Sequence, residues 1–231
     1  MRTDSFFEVS GVKKRYIVIL LLGASILPGS RANVFSQGSN AANKNDISEL
    51  VTKLYNTKTN GIIYGPDLLI QQSVQNELLM MALRSTEVRN QVIHALISML
   101  EASEKEGQDS QIGFPAWQCA AKVLGKLRAT EAIDILVRNL DYQAPLVTMS
   151  SSLNMAEAVT NIGDPAIPKL TEALKTGRRS VRAYAATALG GIGGEQARQT
   201  LERAVATETD GLVVAWIKRT LFVMSERSLD K

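Results

Sequence analysis

The sequence predicts an all-α fold, an α-solenoid (superhelix) of about four stacked helix pairs. Three observations lead to this prediction. Residues 153–205 contain two copies of one helix-pair unit, since Ala156 and Gly163 align with Ala186 and Gly193 at an offset of 30 residues. The apolar residues of each copy recur at helical spacing. The chain is 45% hydrophobic but only 5% aromatic, and such an aliphatic, alanine-rich composition favours helices over a β-sandwich.

The segment SVRAYAATALGGIG shows the first helix of a unit. Its apolar residues follow the i, i+3, i+4, i+7, i+8, i+11 series of a helix with one buried stripe. They are Val181, Tyr184, Ala185, Ala188, Leu189 and Ile192. The alanines predict close approach to a neighbouring helix. We expect Ser180 to cap the helix and the cluster at 190–194 to end it, because glycine adopts the left-handed conformation without strain.

The second helix of a unit follows at once. In the earlier copy the junction reads Gly163-Asp164-Pro165, which predicts Asp164 as the N-cap and Pro165 as the first helical residue. Ile167, Leu170 and Leu174 then recur at helical spacing. Neither helix has enough apolar surface to offset its ordering entropy, so each pair must be buried against the next pair.

The two units resemble the HEAT repeat, in the short variant shared with bilin-lyase proteins. The pattern VRxxAAxALGxIGD-P-AIPxLxxAL is met by Val181-Arg182, Ala185-Ala186, Ala188-Leu189-Gly190, Ile192-Gly193 and the run from Ile162 to Pro168. The resemblance implies an α-solenoid whose second helices line a concave surface that binds other macromolecules.

The N-terminus has the layout of a secretory signal peptide. Lys13-Lys14-Arg15 precedes a mostly apolar run at residues 16–27, which is shorter than the about 20 residues that a membrane span needs. Small residues at Ser30 and Ala32 predict a signal peptide at 1–32 with cleavage after Ala32. The alternative is an uncleaved anchor. A lipoprotein is disfavoured, because no cysteine follows the run.

Removal of the signal peptide changes the charge. It carries five of the 26 basic and two of the 23 acidic residues, so 21 of each remain and the net charge becomes zero. The overall attraction to phosphate that nucleic-acid binding uses is then absent. We expect an exported protein, periplasmic, in the cell envelope or extracellular, with no membrane insertion after cleavage.

The remaining chain divides into a flexible lead-in at 33–46, N-terminal helices at 47–83 and a HEAT-like repeat domain at 84–231. The first helices are predicted at about 47–56, capped by Asp46, and from a cap at Asp67 to Leu83. TEVRNQVIHALISML aligns with SVRAYAATALGGI at an offset of 93 residues, which predicts an early copy of the first helix. Residues 101–113 are polar and acidic, and we expect a helix end and an exposed loop there.

Residues 115–140 form another unit, with a cap at Thr130 between its helices. Its predicted stripes are Ala116, Cys119, Ala120, Val123, Leu124 and Leu127, then Ile133, Leu136, Val137 and Leu140. After a cap at Asp210, one more amphipathic helix closes the stack, with Trp216, Phe222 and Met224 expected to cover the last unit.

Residues that carry chemistry are scarce. His94 is the only histidine and Cys119 the only cysteine, so an internal disulfide is impossible and no zinc site of ordinary spacing can be assembled. Cys119 occupies a stripe position and is expected to be buried. The glycines at 190–194 lack the Lys-Ser/Thr of a phosphate-binding P-loop. No catalytic residue, metal or cofactor is predicted.

The expected function is a non-catalytic scaffold for an unidentified protein partner, with no nucleic acid bound and the oligomeric state open. The alternatives are an accessory protein or enzyme of the bilin-lyase-like class, and a membrane-tethered scaffold. If the second helices face the partner, the candidate surface residues are Asp134, Arg138, Glu172, Lys175, Arg198 and Glu202. A basic cluster at 175–182 suits an acidic partner or a solvated helix end. Arg89 and Arg182 are expected to bond within the stack.

Overall fold

The computed structural model describes residues 44–55, 65–106, 114–142 and 153–229, all within one compact unit that spans 39–231. The predicted signal peptide, its cleavage point and most of the lead-in lie outside the described residues. Within those residues the regular structure is helical and contains no strand. The all-α prediction is therefore confirmed.

Ten α-helices account for most of the described chain. They are α1 Lys44–Tyr55, α2 Gly65–Ala82, α3 Thr86–Glu106, α4 Phe114–Lys126, α5 Ile133–Arg138, α6 Leu153–Ile162, α7 Ile167–Thr176, α8 Arg179–Ile192, α9 Gly194–Thr207 and α10 Gly211–Leu229. Short 3₁₀ turns at Thr130–Ala132 and Asp164–Ala166 lead directly into α5 and α7.

The helices form two layers. Helices α2, α4, α6, α8 and α10 pack side by side in a first layer, and α3, α5, α7 and α9 follow one another in a second layer. Helix α1 contacts α2, α3 and α4. The four successive pairs from α2–α3 to α8–α9 give the predicted α-solenoid, and they begin one helix before residue 84. Helix α3 was expected to copy a first helix, but it lies in the second layer.

Small residues let the first layer pack closely. A Cβ added to Gly125 of α4 would lie 2.8 Å from the Cα of Ala158 in α6. One added to Gly191 of α8 would lie 2.6 Å from Thr160 Oγ1, whose hydroxyl donates to the carbonyl oxygen of Ala188 at 3.2 Å. Gly190 and Gly191 therefore serve contact between helices. The predicted glycine cluster does end α8, but it does so at its later member Gly193, the C-cap residue.

Left-handed glycines make the turns between the two helices of a unit. Gly163 has φ +89° and Gly193 has φ +74°, conformations that other residues adopt only with strain. Their equivalent geometry confirms the 30-residue repeat. Asp164 does not cap: Gly163 is the N-cap residue, and Asp164 is the first residue of the 3₁₀ turn.

Three other predicted caps were also wrong, and Asp210 was right. Asp46 and Asp67 lie inside α1 and α2, and Thr130 makes no capping bond at its turn. Asp210 Oδ1 accepts the backbone N–H of Leu212 at 3.0 Å. A capping residue type therefore located a helix start to within a few residues, and Asp210 also provides the capping bond.

Ser180 departs from prediction, whereas the helix end expected within 101–113 is found at Glu106. Ser180 Oγ donates to Asp141 Oδ2 at 2.6 Å, which links α8 to the segment that follows α5. Two polar residues of the last turns of α3 bond to later helices, and Glu104 is the ion partner of Arg138. Ser103 accepts the indole N–H of Trp117 at 3.0 Å. Residues 107–113 lie outside the described residues.

The predicted apolar stripes form the core. Those of α4, α7 and α8 are buried except for Ile192, which is partly buried, and in α5 only Ile133 is partly exposed. At the C-terminus, Met224 is buried and the half-buried Trp216 donates its indole N–H to Thr187 Oγ1 at 2.8 Å. Phe222 was expected to cover the last unit, but it is 64% exposed.

Gly125→Ala tests the close packing of the first layer. We expect a loss of about 1–3 kcal/mol in the free energy of unfolding, because the added methyl meets the backbone of α6 and forces the helices apart. Chemical denaturation measures the change. Gly211→Ala is the control, since no atom lies within 4 Å of its added Cβ. Equal stability of both variants would contradict the close contact.

Candidate interaction surface

Two grooves lie between successive helices of the second layer. The first groove, about 410 Å³, separates α5 from α7. The second groove, about 620 Å³, separates α7 from α9. The charged residues of the first groove are Asp134, Arg138, Lys169, Glu172 and Arg178. Those of the second groove are Lys175, Arg182, Arg203 and Glu208.

The cations of the first groove all have carboxylate partners. Lys169 Nζ lies 3.3 Å from Asp134 Oδ1 and 3.2 Å from Glu172 Oε2, and the hydrogen bonds to Glu172 and Asp134 raise its pKa. Arg138 Nε lies 3.0 Å from an oxygen of Glu104 in α3. Arg178 Nη2 lies 2.8 Å from Asp141 Oδ1. The first groove therefore neutralises most of its own charge.

A nearly buried ion pair borders the second groove. Arg182 donates from Nε and Nη2 to the carboxylate of Glu208 at 2.7 and 3.1 Å, and from Nη1 to the carbonyl oxygen of Gly177 at 2.9 Å. Glu208 also accepts the backbone N–H groups of Thr209 and Asp210. Burial alone would raise the pKa of Glu208, but these bonds outweigh it and the pKa is lowered.

Two other cations of the second groove lack such partners. No carboxylate of the described chain lies within 4.0 Å of the side-chain nitrogens of Lys175 or Arg203. Arg203 Nη2 donates only to the neutral amide of Gln199, at 3.2 Å. Both side chains are exposed. The second groove therefore carries positive charge that the described residues leave without a counterion.

Four of the six predicted surface residues line a groove, and two do not. Asp134, Arg138 and Glu172 line the first groove, and Lys175 lines the second. Arg198 and Glu202 lie on α9 outside both grooves.

Sequence reasoning missed Lys169, Arg178 and Arg203 as groove residues. For α9 a signal was present: Thr200, Arg203, Ala204 and Thr207 follow i, i+3, i+4, i+7 spacing on one face, and all four line the second groove.

The basic cluster at the start of α8 is part of the stack. Arg179 pairs with Asp210, which lowers the pKa of that carboxyl, while Arg178 and Arg182 bind the carboxylates described above. Arg89 Nη2 donates to the carbonyl oxygen of Leu127 at 2.6 Å. The prediction that Arg89 and Arg182 bond within the stack is therefore confirmed.

Reactive side chains do not converge in the described chain. Cys119 is 3% exposed, as its stripe position predicted, and burial raises the pKa of its thiol to about 12. His94 lies exposed on α3. The described residues hold no group of three or more metal-binding side chains. None of the helices within the described ranges has the length and apolar character to cross a bilayer.

Stacked helix pairs with one close-packed layer and one grooved layer define the class of this chain, an α-solenoid repeat protein. Part of the chain is similar to HEAT repeats: residues 152–221 match the family model for HEAT repeats, and residues 120–142 match the PBS lyase HEAT-like repeat. A search of curated proteins returned no match.

Thiol labelling tests the burial of Cys119. Because the thiol stays protonated far above its ordinary pKa of 9.0, we expect a disulfide reagent at pH 8 to react at least about 100-fold more slowly with folded than with unfolded protein. Absorbance of the released thiolate measures the rate, and Cys119→Ala sets the background. Rapid labelling of the folded protein would contradict the buried position.

Proposed function

We propose that this chain is an exported, non-catalytic scaffold that binds a segment of a protein partner along its second layer. The observation that carries this proposal is the recurrence of a groove between successive second-layer helices, at α5/α7 and at α7/α9. The first layer is closely packed through its glycines and alanines. A segment that followed the stack would contact both grooves in succession, and its affinity would be the sum of many modest contacts.

The groove chemistry suits a polypeptide better than a nucleic acid. The first groove presents carboxylates beside its cations, and a polyanion would meet repulsion there. Predicted cleavage after Ala32 leaves no net charge to attract phosphate. Mixed polar and apolar walls instead match a segment with side chains of several types.

The PBS lyase HEAT-like match raises a second candidate, an accessory protein or enzyme of the lyase-related class. A covalent mechanism would need an activated nucleophile. The chain's single cysteine is buried and its pKa is raised, which is the opposite of activation. The position of Cys119 therefore favours the scaffold.

Export is testable by the mass of the processed protein. Expression in a secreting host should yield a chain that begins at Asn33, because the signal layout places cleavage after Ala32. Intact-mass spectrometry of the purified protein identifies its N-terminus. A scaffold tethered through residues 16–27 would retain the mass of the longer chain, and that result would contradict cleavage.

Charge reversal in the first groove tests partner binding. Arg138→Glu should weaken capture of the partner from the native envelope fraction at least about fivefold, the equivalent of about 1 kcal/mol. Unfolding stability should change by less than about 1 kcal/mol, because the Arg138–Glu104 pair is exposed to solvent. Quantitative mass spectrometry of the captured protein measures the effect.

Glu202→Lys is the matched control, because Glu202 lies on α9 outside both grooves. It should leave capture unchanged. Equal loss from the two variants would move the partner surface away from the grooves, and no loss from Arg138→Glu would remove the first groove from it.

A further inference from the structure

We propose that the second groove selects an acidic segment, in which carboxylate side chains alternate with aliphatic ones. The inference rests on the proposed function, since it names the chemistry of a segment that lies along the second layer. The observation behind it is a difference between two neighbouring grooves of similar construction.

The two grooves differ in whether their cations have carboxylate partners. Three cations of the first groove each lie within 3.3 Å of a carboxylate oxygen. The second groove has three cations and one carboxylate along its walls. Arg182 forms an ion pair with that carboxylate at 2.7 Å, so Lys175 and Arg203 remain without a carboxylate partner along the groove. These two line the same groove from different helices, Lys175 from α7 and Arg203 from α9.

Glu208 is poorly placed to act as their counterion. Its side chain is only 9% exposed, and it already accepts two bonds from Arg182 and two from backbone N–H groups. A carboxylate has about four acceptor positions. A carboxylate supplied by a ligand would therefore be the counterion that Lys175 and Arg203 lack.

The walls between the two cations are partly apolar. Leu174 and Ala204 line the groove. Thr171 and Thr200 donate their hydroxyls to carbonyl oxygens one turn earlier in their own helices, at 2.7 and 2.9 Å. Their hydroxyl protons are therefore not available to a ligand. Such walls suit aliphatic side chains placed between the carboxylates.

The volume suits a short stretch of chain. At about 620 Å³, the second groove lies within the range of about 300–1,000 Å³ in which proteins enclose drug-sized ligands. A few residues of extended peptide are of that size. The groove is thus large enough for one or two carboxylates and an aliphatic neighbour.

Peptide titration tests the selectivity. The probe is a fluorescein-labelled peptide of alternating leucine and glutamate, and its control replaces every glutamate by glutamine. Fluorescence anisotropy with the purified protein should show at least about tenfold tighter binding of the glutamate peptide, a difference that shrinks between about 50 and about 200 mM NaCl because salt screens exposed charges.

Single variants assign that preference to the groove. Lys175→Gln and Arg203→Gln should each weaken the glutamate peptide about three- to tenfold and leave the glutamine peptide unchanged, because each removes one uncompensated charge. Arg198→Gln is the control, because Arg198 lies on α9 outside both grooves; it should change the affinity less than about twofold. Circular dichroism confirms that each variant is folded.

Three results would overturn the inference: equal affinity for the two peptides, no binding of the glutamate peptide at about 1 mM, or an effect of Arg198→Gln as large as that of Lys175→Gln. Each is separable from a failure of the scaffold itself. Loss of partner capture by Arg138→Glu, together with peptides that bind equally, would retain the scaffold and reject only the acidic preference.

Discussion

Close contact between first-layer helices is the constraint on which the rest of this structure depends. Side chains normally hold packed helices about 8–10 Å apart, but Gly125 and Gly191 leave no room for a methyl against Ala158 and Thr160. The hydroxyl of Thr160 bonds directly to the carbonyl oxygen of Ala188. The spacing of the units is therefore set in the first layer. The second layer contains the two grooves.

The repeat itself could be predicted from the sequence, because its determinants are local. Alternation of apolar residues at helical spacing fixes which face of α8 is buried, and a glycine at the same place in each unit fixes the turn. The layer of a helix is not a local property. Helix α3 carries the same apolar spacing as α8, yet it lies in the second layer. The spacing of apolar residues identifies which face of a helix is buried, but it does not identify the helix that packs against that face.

Helix ends and surface sites were harder to predict from the sequence, because they too depend on residues that are distant along the chain. Gly190 and Gly191 resemble a helix terminus in sequence, but their role depends on Thr220 and Thr160, which lie about thirty residues away along the chain. Arg138 could be placed on an exposed helix face, but its ion partner Glu104 could not be named. The partner of Arg138 is 34 residues distant in sequence. Pairings of this kind appear only when the units are stacked.

Charge in the second layer follows from how the units are joined. At the α8 end of each groove an arginine binds a carboxylate of another junction, Arg178 with Asp141 and Arg182 with Glu208. The first pair joins the α7–α8 junction to the end of α5, and the second joins α8 to the end of α9. In the first groove, Asp134 and Glu172 remain to pair with Lys169. In the second groove the helix faces contribute threonines and alanine in place of carboxylates. Lys175 and Arg203 are therefore left without a carboxylate partner among the described residues. Two grooves built from the same repeat thus differ in electrostatics. In the proposed function, each groove would therefore favour different side chains of a bound segment.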